Sequence, residues 1–141
     1  MHKEKEVVAF GIIEMPGYET PEGEKKFMLI VEKNQREPKL FKFPGGTAEG
    51  GESSSWALYR ELIEETSVII VPAETVLVKK FDMGTHVVKF FTGRQDSGKP
   101  EACAEVEEVF VLTAREIMAL ISEKRLAPRH DVAFLEFLRA E

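Results

Sequence analysis

Apolar residues along this chain fall first into short runs cut off by turn residues and later into helical spacing. The run 7–13 stops short of Pro16-Gly17, and 27–31 gives way to the polar stretch 32–37. Runs of that length between turn signals predict two buried strands. A short piece, 40–43, alternates around Lys42 and meets Pro44-Gly45-Gly46, where a loop is expected because proline and two glycines cannot continue a central strand. Residues 68–71, ahead of Pro72, predict another strand. The runs 76–81 and 86–92 flank Met83-Gly84 as a hairpin, and 96–100 reads as a loop.

Helical patterns take over twice. Residues 53–65, SSSWALYRELIEE, are rich in helix formers and open on serines that suit an N-cap. At about 100° per residue, Trp56, Leu58, Tyr59, Leu62 and Ile63 form one broad arc, expected to face the core. After a strand at 106–112, Thr113 is placed to cap a helix with Ile117, Leu120 and Ile121 on one face and Glu116 at capping-box spacing. Pro128 ends it. Residues 129–139 resume a helix with Phe134, Leu135 and Leu138 facing inward. Strands interleaved with helices predict an α+β fold, a mixed sheet covered by helices on both faces.

The 141 residues, 43% hydrophobic and 31% charged, suit a single domain spanning 1–141 with a core that needs no staples. Cys103 is the only cysteine, so no internal disulfide forms, and a reducing cytoplasm with an inert Cys103 is expected. No apolar run approaches ~18 residues, and the N-terminus alternates charge, so neither a membrane span nor an export signal is expected. With 19 basic against 25 acidic residues the net charge is −6, which argues against an extended nucleic-acid interface. Only three of the acids are Asp (Asp82, Asp96 and Asp131), so the remaining acidity is glutamate, and its arrangement matters.

Glu61, Glu64 and Glu65 share a face of the first helix. The like-charge pairs at i,i+3 and i,i+4 each cost an isolated helix roughly 0.2–0.5 kcal/mol, and a hard divalent cation would offset that. The loop 45–52 before the helix holds four glycines, whose backbones can fold carbonyls onto a metal or amides onto phosphates. Arg60 is suited to hold a carboxylate with its guanidinium fork.

Gly46, five residues, Glu52, seven residues, then Arg60-Glu61-Leu62-Ile63-Glu64-Glu65-Thr66-Ser67-Val68: this pattern resembles the Nudix box of the Nudix hydrolases, with Ser67 where a glycine normally closes the motif. The resemblance implies an α/β/α sandwich and hydrolysis of a pyrophosphate linkage in a nucleoside di- or triphosphate derivative. It implies that Glu61 and Glu65, with the Gly45 carbonyl, bind Mg²⁺ or Mn²⁺, and that Glu64 binds metal or helps activate water. Arg60 and Glu52 would support them. A later acid often joins such a site, and Glu105 is the first choice among Glu105, Glu107 and Glu108. Gly46 and Arg36 are the expected substrate contacts, the partner being a small nucleotide, with a homodimer left open.

Blander readings stand beside these. Three glutamates on a helix are commonly solvated surface, and Gly-rich loops commonly serve only to turn the chain. Lys33 and Arg36 are then ordinary loop cations. Phe41, Phe43, Phe90 and Phe91 fill the core unless one of each pair lines a base pocket. His86 and His130 are assigned no function. The rival class is a Nudix-like module that binds a nucleotide without turning it over, and a third is a structural domain that saturates with no metal.

Overall fold

The computed structural model describes residues 5–141, so the charged residues 1–4, read above as unlike an export signal, lie outside the described residues. The elements run β1 (Glu6–Glu14), β2 (Lys26–Glu32), β3 (Gly45–Thr47), α1 (Ser54–Thr66), β4 (Ile69–Ile70), β5 (Val76–Asp82), β6 (His86–Ser97), β7 (Val106–Thr113), α2 (Ala114–Ser122) and α3 (His130–Ala140). One mixed sheet runs β4-β6-β1-β2-β7, with β3 paired to β1 and β5 to β6. β1 lies parallel to β6 from Glu6↔His86 to Glu14↔Arg94, and the other pairings are antiparallel. β6 is apolar on both sides because both are covered: Val88 and Phe90 enter one core and Phe91 the other.

Helices close both faces, giving the expected α/β/α sandwich. Leu58 and Leu62 of α1 pack with Ala9, Ile13, Met28 and Phe91 on one side. Ile117 and Leu120 of α2 and Ala133 and Phe134 of α3 pack with Ile12, Phe27, Leu29, Phe41, Phe43 and Phe90 on the other. Phe41, Phe43, Phe90 and Phe91 are thus core residues. No helix among the described residues is long and apolar enough to cross a membrane.

The largest departure from the sequence reading creates the site. β1 and β2 share only the registered pair Glu14↔Phe27, and residues 41–47 run between them beyond it. The expected strand at 40–43 is reduced to two bridges, Lys42 to Ile30 and Phe41 to Leu126, while the expected loop at Gly45-Gly46 is a short strand on β1. Glycine makes that approach possible. At Gly45 (φ 150°) an added Cβ would lie 2.0 Å from the Ala9 carbonyl oxygen. Strand 86–92 also continues to Ser97, taking in Asp96 and Ser97 that read as loop, because β4 pairs there through Ile69↔Ser97 and Ile70↔Gln95.

Caps fall where the sequence puts them. The Ser53 hydroxyl accepts from the Trp56 N–H at 3.2 Å, and Thr113 and Glu116 form the reciprocal box on α2. Three of the apolar residues expected to face inward are exposed. Trp56 is 55% exposed, Ile63 37% and Leu135 43%. On α1 the buried stripe follows the i, i+4, i+8 line Leu58, Leu62, Thr66, and Trp56 and Ile63 project more than about 90° from its centre. Trp56 instead meets Tyr59 edge-on at 5.1 Å. On α3, Phe137 packs against the core where Leu135 was expected.

Candidate functional site

Helical geometry grades the three glutamates by depth. Glu65 lies only about 20° around α1 from Leu58, Glu61 about 60° and Glu64 about 120°. Glu65 is accordingly tucked against the sheet and accepts the Gly45 N–H at 3.0 Å. The Glu61 side chain is 18% exposed and that of Glu64 53%.

β3 meets this face edge-on. The Gly11 N–H donates to the Pro44 carbonyl and the Ala48 N–H to the Val7 carbonyl, so the ladder's alternation makes Ala9 and Gly46 a hydrogen-bonded pair. Gly45 and Thr47 turn their N–H and C=O groups the other way, toward α1. The Gly46 amide is therefore spent on β1, and what Gly46 gives the site is room. A Cβ there would lie 2.5 Å from Cδ of Glu61.

Arg60 straps the arrangement. Its Nε and Nη2 donate to the two Glu52 oxygens at 2.8 and 3.0 Å, Nη2 also to the Thr47 carbonyl at 3.1 Å, and Nη1 to Glu61 at 3.1 Å and Glu64 at 3.3 Å. The hydrogen bonds to Arg60 and from the Glu49 N–H hold the Glu52 carboxyl down at about 2, and Arg60 is itself pushed up, chiefly by Glu52. Glu61 moves the opposite way, raised chiefly by burial against the pull of Arg60. Burial, reinforced by the charges of Glu61 and Glu32, pushes Glu65 up to about 8, although the Gly45 N–H and the Lys42 ammonium draw it down.

The structure thus brings Gly45, Gly46, Glu52, Arg60, Glu61, Glu64 and Glu65 together. Arg36 is exposed on the loop after β2, and the exposed Glu105 accepts from the Asn34 amide at 3.0 Å. Neither contacts the glutamate face. Glu32 and Lys42, an ion pair beside Glu65, were not singled out in the sequence. The alternation of Lys42 between two phenylalanines was the available signal, and it shows a side chain that leaves the core without showing where it goes.

The NUDIX domain family model matches residues 18–137. This chain belongs to the Nudix family. Its fold is shared by a NUDIX hydrolase from Nitrosomonas europaea, 20% identical with TM-score 0.74, covering 97% of this chain and 90% of that one. The NUDIX domain of Shewanella oneidensis NrtR, solved with ADP ribose, is 18% identical with TM-score 0.74 and covers 99% and 90%. An Ap4A hydrolase from C. elegans, solved as a binary complex, is 14% identical with TM-score 0.69 and covers 95% and 96%. Comparison with curated protein sequences gave no match.

Nudix hydrolases generally use divalent cations, and the donor set of this Nudix chain suits one. It is all oxygen: the Glu61, Glu64 and Glu65 carboxylates and the carbonyl of Gly45, turned off the ladder toward α1. Two half-buried carboxylates on this face have raised pKa values, which a cation would reverse. Among the described residues no three acidic, His or Cys side chains already converge on one point. Arg60 Nη1 meanwhile donates to both Glu61 and Glu64.

Proposed function

We propose that this Nudix chain is a Mg²⁺- or Mn²⁺-dependent hydrolase of a phosphoanhydride bond in a nucleoside di- or triphosphate derivative. The observation that carries the reading is the half-buried Glu61–Glu65 pair set against the glycine strand Gly45–Thr47, with no side chain between them. Glu61, Glu65 and the Gly45 carbonyl would hold the cation. When bound, the metal neutralises charge on the bridging phosphates and makes a water acidic enough to attack at phosphorus.

The chain's own residues do the rest. Glu64, the most exposed of the three, is free on its outer side to take the proton from the attacking water. Arg60, fixed on two sides by Glu52 and Thr47, keeps Glu61 and Glu64 oriented. Arg36, exposed on the loop after β2, is left as a substrate contact to be tested by Arg36→Ala in the turnover assay. Glu105, bonded to the Asn34 amide, is not required to complete the donor set of Glu61, Glu65 and the Gly45 carbonyl. The binding-only reading draws on one observation, that Arg60 engages the carboxylates a metal would need.

Glu64→Gln and Glu65→Gln decide between the two. Assayed with Mg²⁺ on a panel of nucleoside triphosphates, nucleotide sugars and dinucleoside polyphosphates, each should lower turnover at least ~10²-fold with the fold intact. A wild-type protein that binds a nucleotide but releases no phosphate, pyrophosphate or monophosphate would establish the binding module instead.

A further inference from the structure

Lys42 is a buried-side cation with an unusual address. It lies between Phe41 and Phe43, both in the core, and its backbone is fixed on Ile30 by two hydrogen bonds, of 2.8 and 3.0 Å. Its side chain is 20% exposed and its ammonium lies 4.9 Å from the centre of the Phe10 ring. Phe10 is paired directly with Gly45, whose N–H holds Glu65. The ammonium is bonded to Glu32, a carboxylate that itself bears on Glu65. A lysine and a glutamate are thus kept as a pair at the edge of the acidic face.

Charge makes this pair more than packing. Glu49, Glu52, Glu61, Glu64 and Glu65 surround a site whose other cation, Arg60, already spends its fork on Glu52, Thr47, Glu61 and Glu64. A polyphosphate chain arriving there needs a cation that can turn to it. Lys39, three residues earlier, is bonded to Glu107 and to the Lys33 carbonyl. Lys42 has one carboxylate partner, Glu32, and a more highly charged phosphate can displace it, leaving the half-buried Glu32 carboxylate unpaired.

We propose that Lys42 is the residue that takes hold of the substrate's phosphate chain, and that Glu32 holds the ammonium at the mouth of the site until a phosphate displaces it. This rests on the functional reading above and names a specificity residue within it. The pair selects for polyanionic substrates because only a group at least as negative as a carboxylate can win the lysine.

The test is binding of α,β-methylene nucleoside triphosphates with Mg²⁺, measured by titration calorimetry on wild type, Lys42→Met, Lys42→Arg, Glu32→Gln and Lys39→Met. Lys42→Met should weaken binding about 10- to 100-fold, the loss of one charge-assisted contact to phosphate. Lys42→Arg should recover part of it, and Lys39→Met should bind as wild type. Glu32→Gln should bind as tightly as wild type or more so, because it frees the same ammonium. Mn²⁺ affinity without nucleotide should not fall in Lys42→Met. Equal losses in Lys42→Met and Glu32→Gln, or a fall in Mn²⁺ affinity, would make the pair a structural brace and overturn the proposal. Wild-type affinity in Lys42→Met, with wild-type hydrolysis intact, would overturn it and leave the hydrolase reading standing. A wild type that neither binds nor hydrolyses the panel would overturn both.

Discussion

Gly46→Ala separates geometry from charge at the glutamate face. The added Cβ would lie 2.5 Å from Cδ of Glu61 and 2.6 and 2.8 Å from its two oxygens. The backbone itself need not move, since Gly46 lies outside the positive-φ glycines and alanine can adopt its conformation. Restoring ordinary contact at about 3.5–4 Å displaces the carboxylate on the order of 1 Å. Turning Glu61 off its rotamer costs about 0.5–1.5 kcal/mol, and its bond to Arg60 loosens, so unfolding free energy should fall by about 1 kcal/mol. A displacement of that size can cost ~10²-fold in rate. Urea unfolding without metal and turnover with Mg²⁺ on the same preparation would show a small loss beside a large one. Unchanged turnover and Mn²⁺ affinity in a folded Gly46→Ala would refute the role given to Glu61. Gly45→Ala cannot serve, because its Cβ would strike the backbone of Ala9 and Phe10.

Two further outcomes follow from the backbone and the core. Ser67 ends α1 at φ 62°, so Ser67→Gly should raise stability by about 0.5 kcal/mol, the relief of a left-handed residue less glycine's entropy and an exposed bond to Glu101; a loss of stability on urea titration would contradict this. His130 is buried among Phe10, Phe43 and Phe90, accepts the Phe43 N–H at 3.0 Å, and is held neutral by burial, with its pKa well below the ordinary value. The unfolded imidazole takes a proton that the folded one refuses, so stability is full above the ordinary pKa of about 6.5 and falls as pH drops below it. His130→Gln should flatten that limb of the stability profile, and an unchanged limb would place the effect elsewhere.

The box spacing made the first helix and its three glutamates readable before any coordinates, because metal-binding geometry on a helix is local: i,i+3 and i,i+4 put side chains together wherever the helix lies. Their grading by depth was hidden. Whether Glu65 or Ile63 is buried depends on which side of α1 meets the sheet, and both arcs contain apolar residues. The strand at Gly45–Thr47 was also hidden, since Pro44 and two glycines signal a turn, and only the parting of β1 and β2 gives them an edge to pair with. Ser67 was legible as a departure from the motif, and the structure shows its consequence, a non-glycine residue in a left-handed cap. Lys42 and Glu32 are ten residues apart and meet only through the bridge from Lys42 to Ile30.

The most direct measurement is the proton released when Mg²⁺ saturates the protein at pH 7, obtained by calorimetry in buffers of different ionisation heat. With Glu65 pushed up to about 8 in the metal-free site, its carboxyl is mostly protonated at pH 7, and a cation on it should expel that proton. Glu65→Gln should bind more weakly and release clearly less, only what Glu61 gives up. Saturable binding with no proton released from wild type, or equal release from Glu65→Gln, would contradict the claim that this buried glutamate holds the metal.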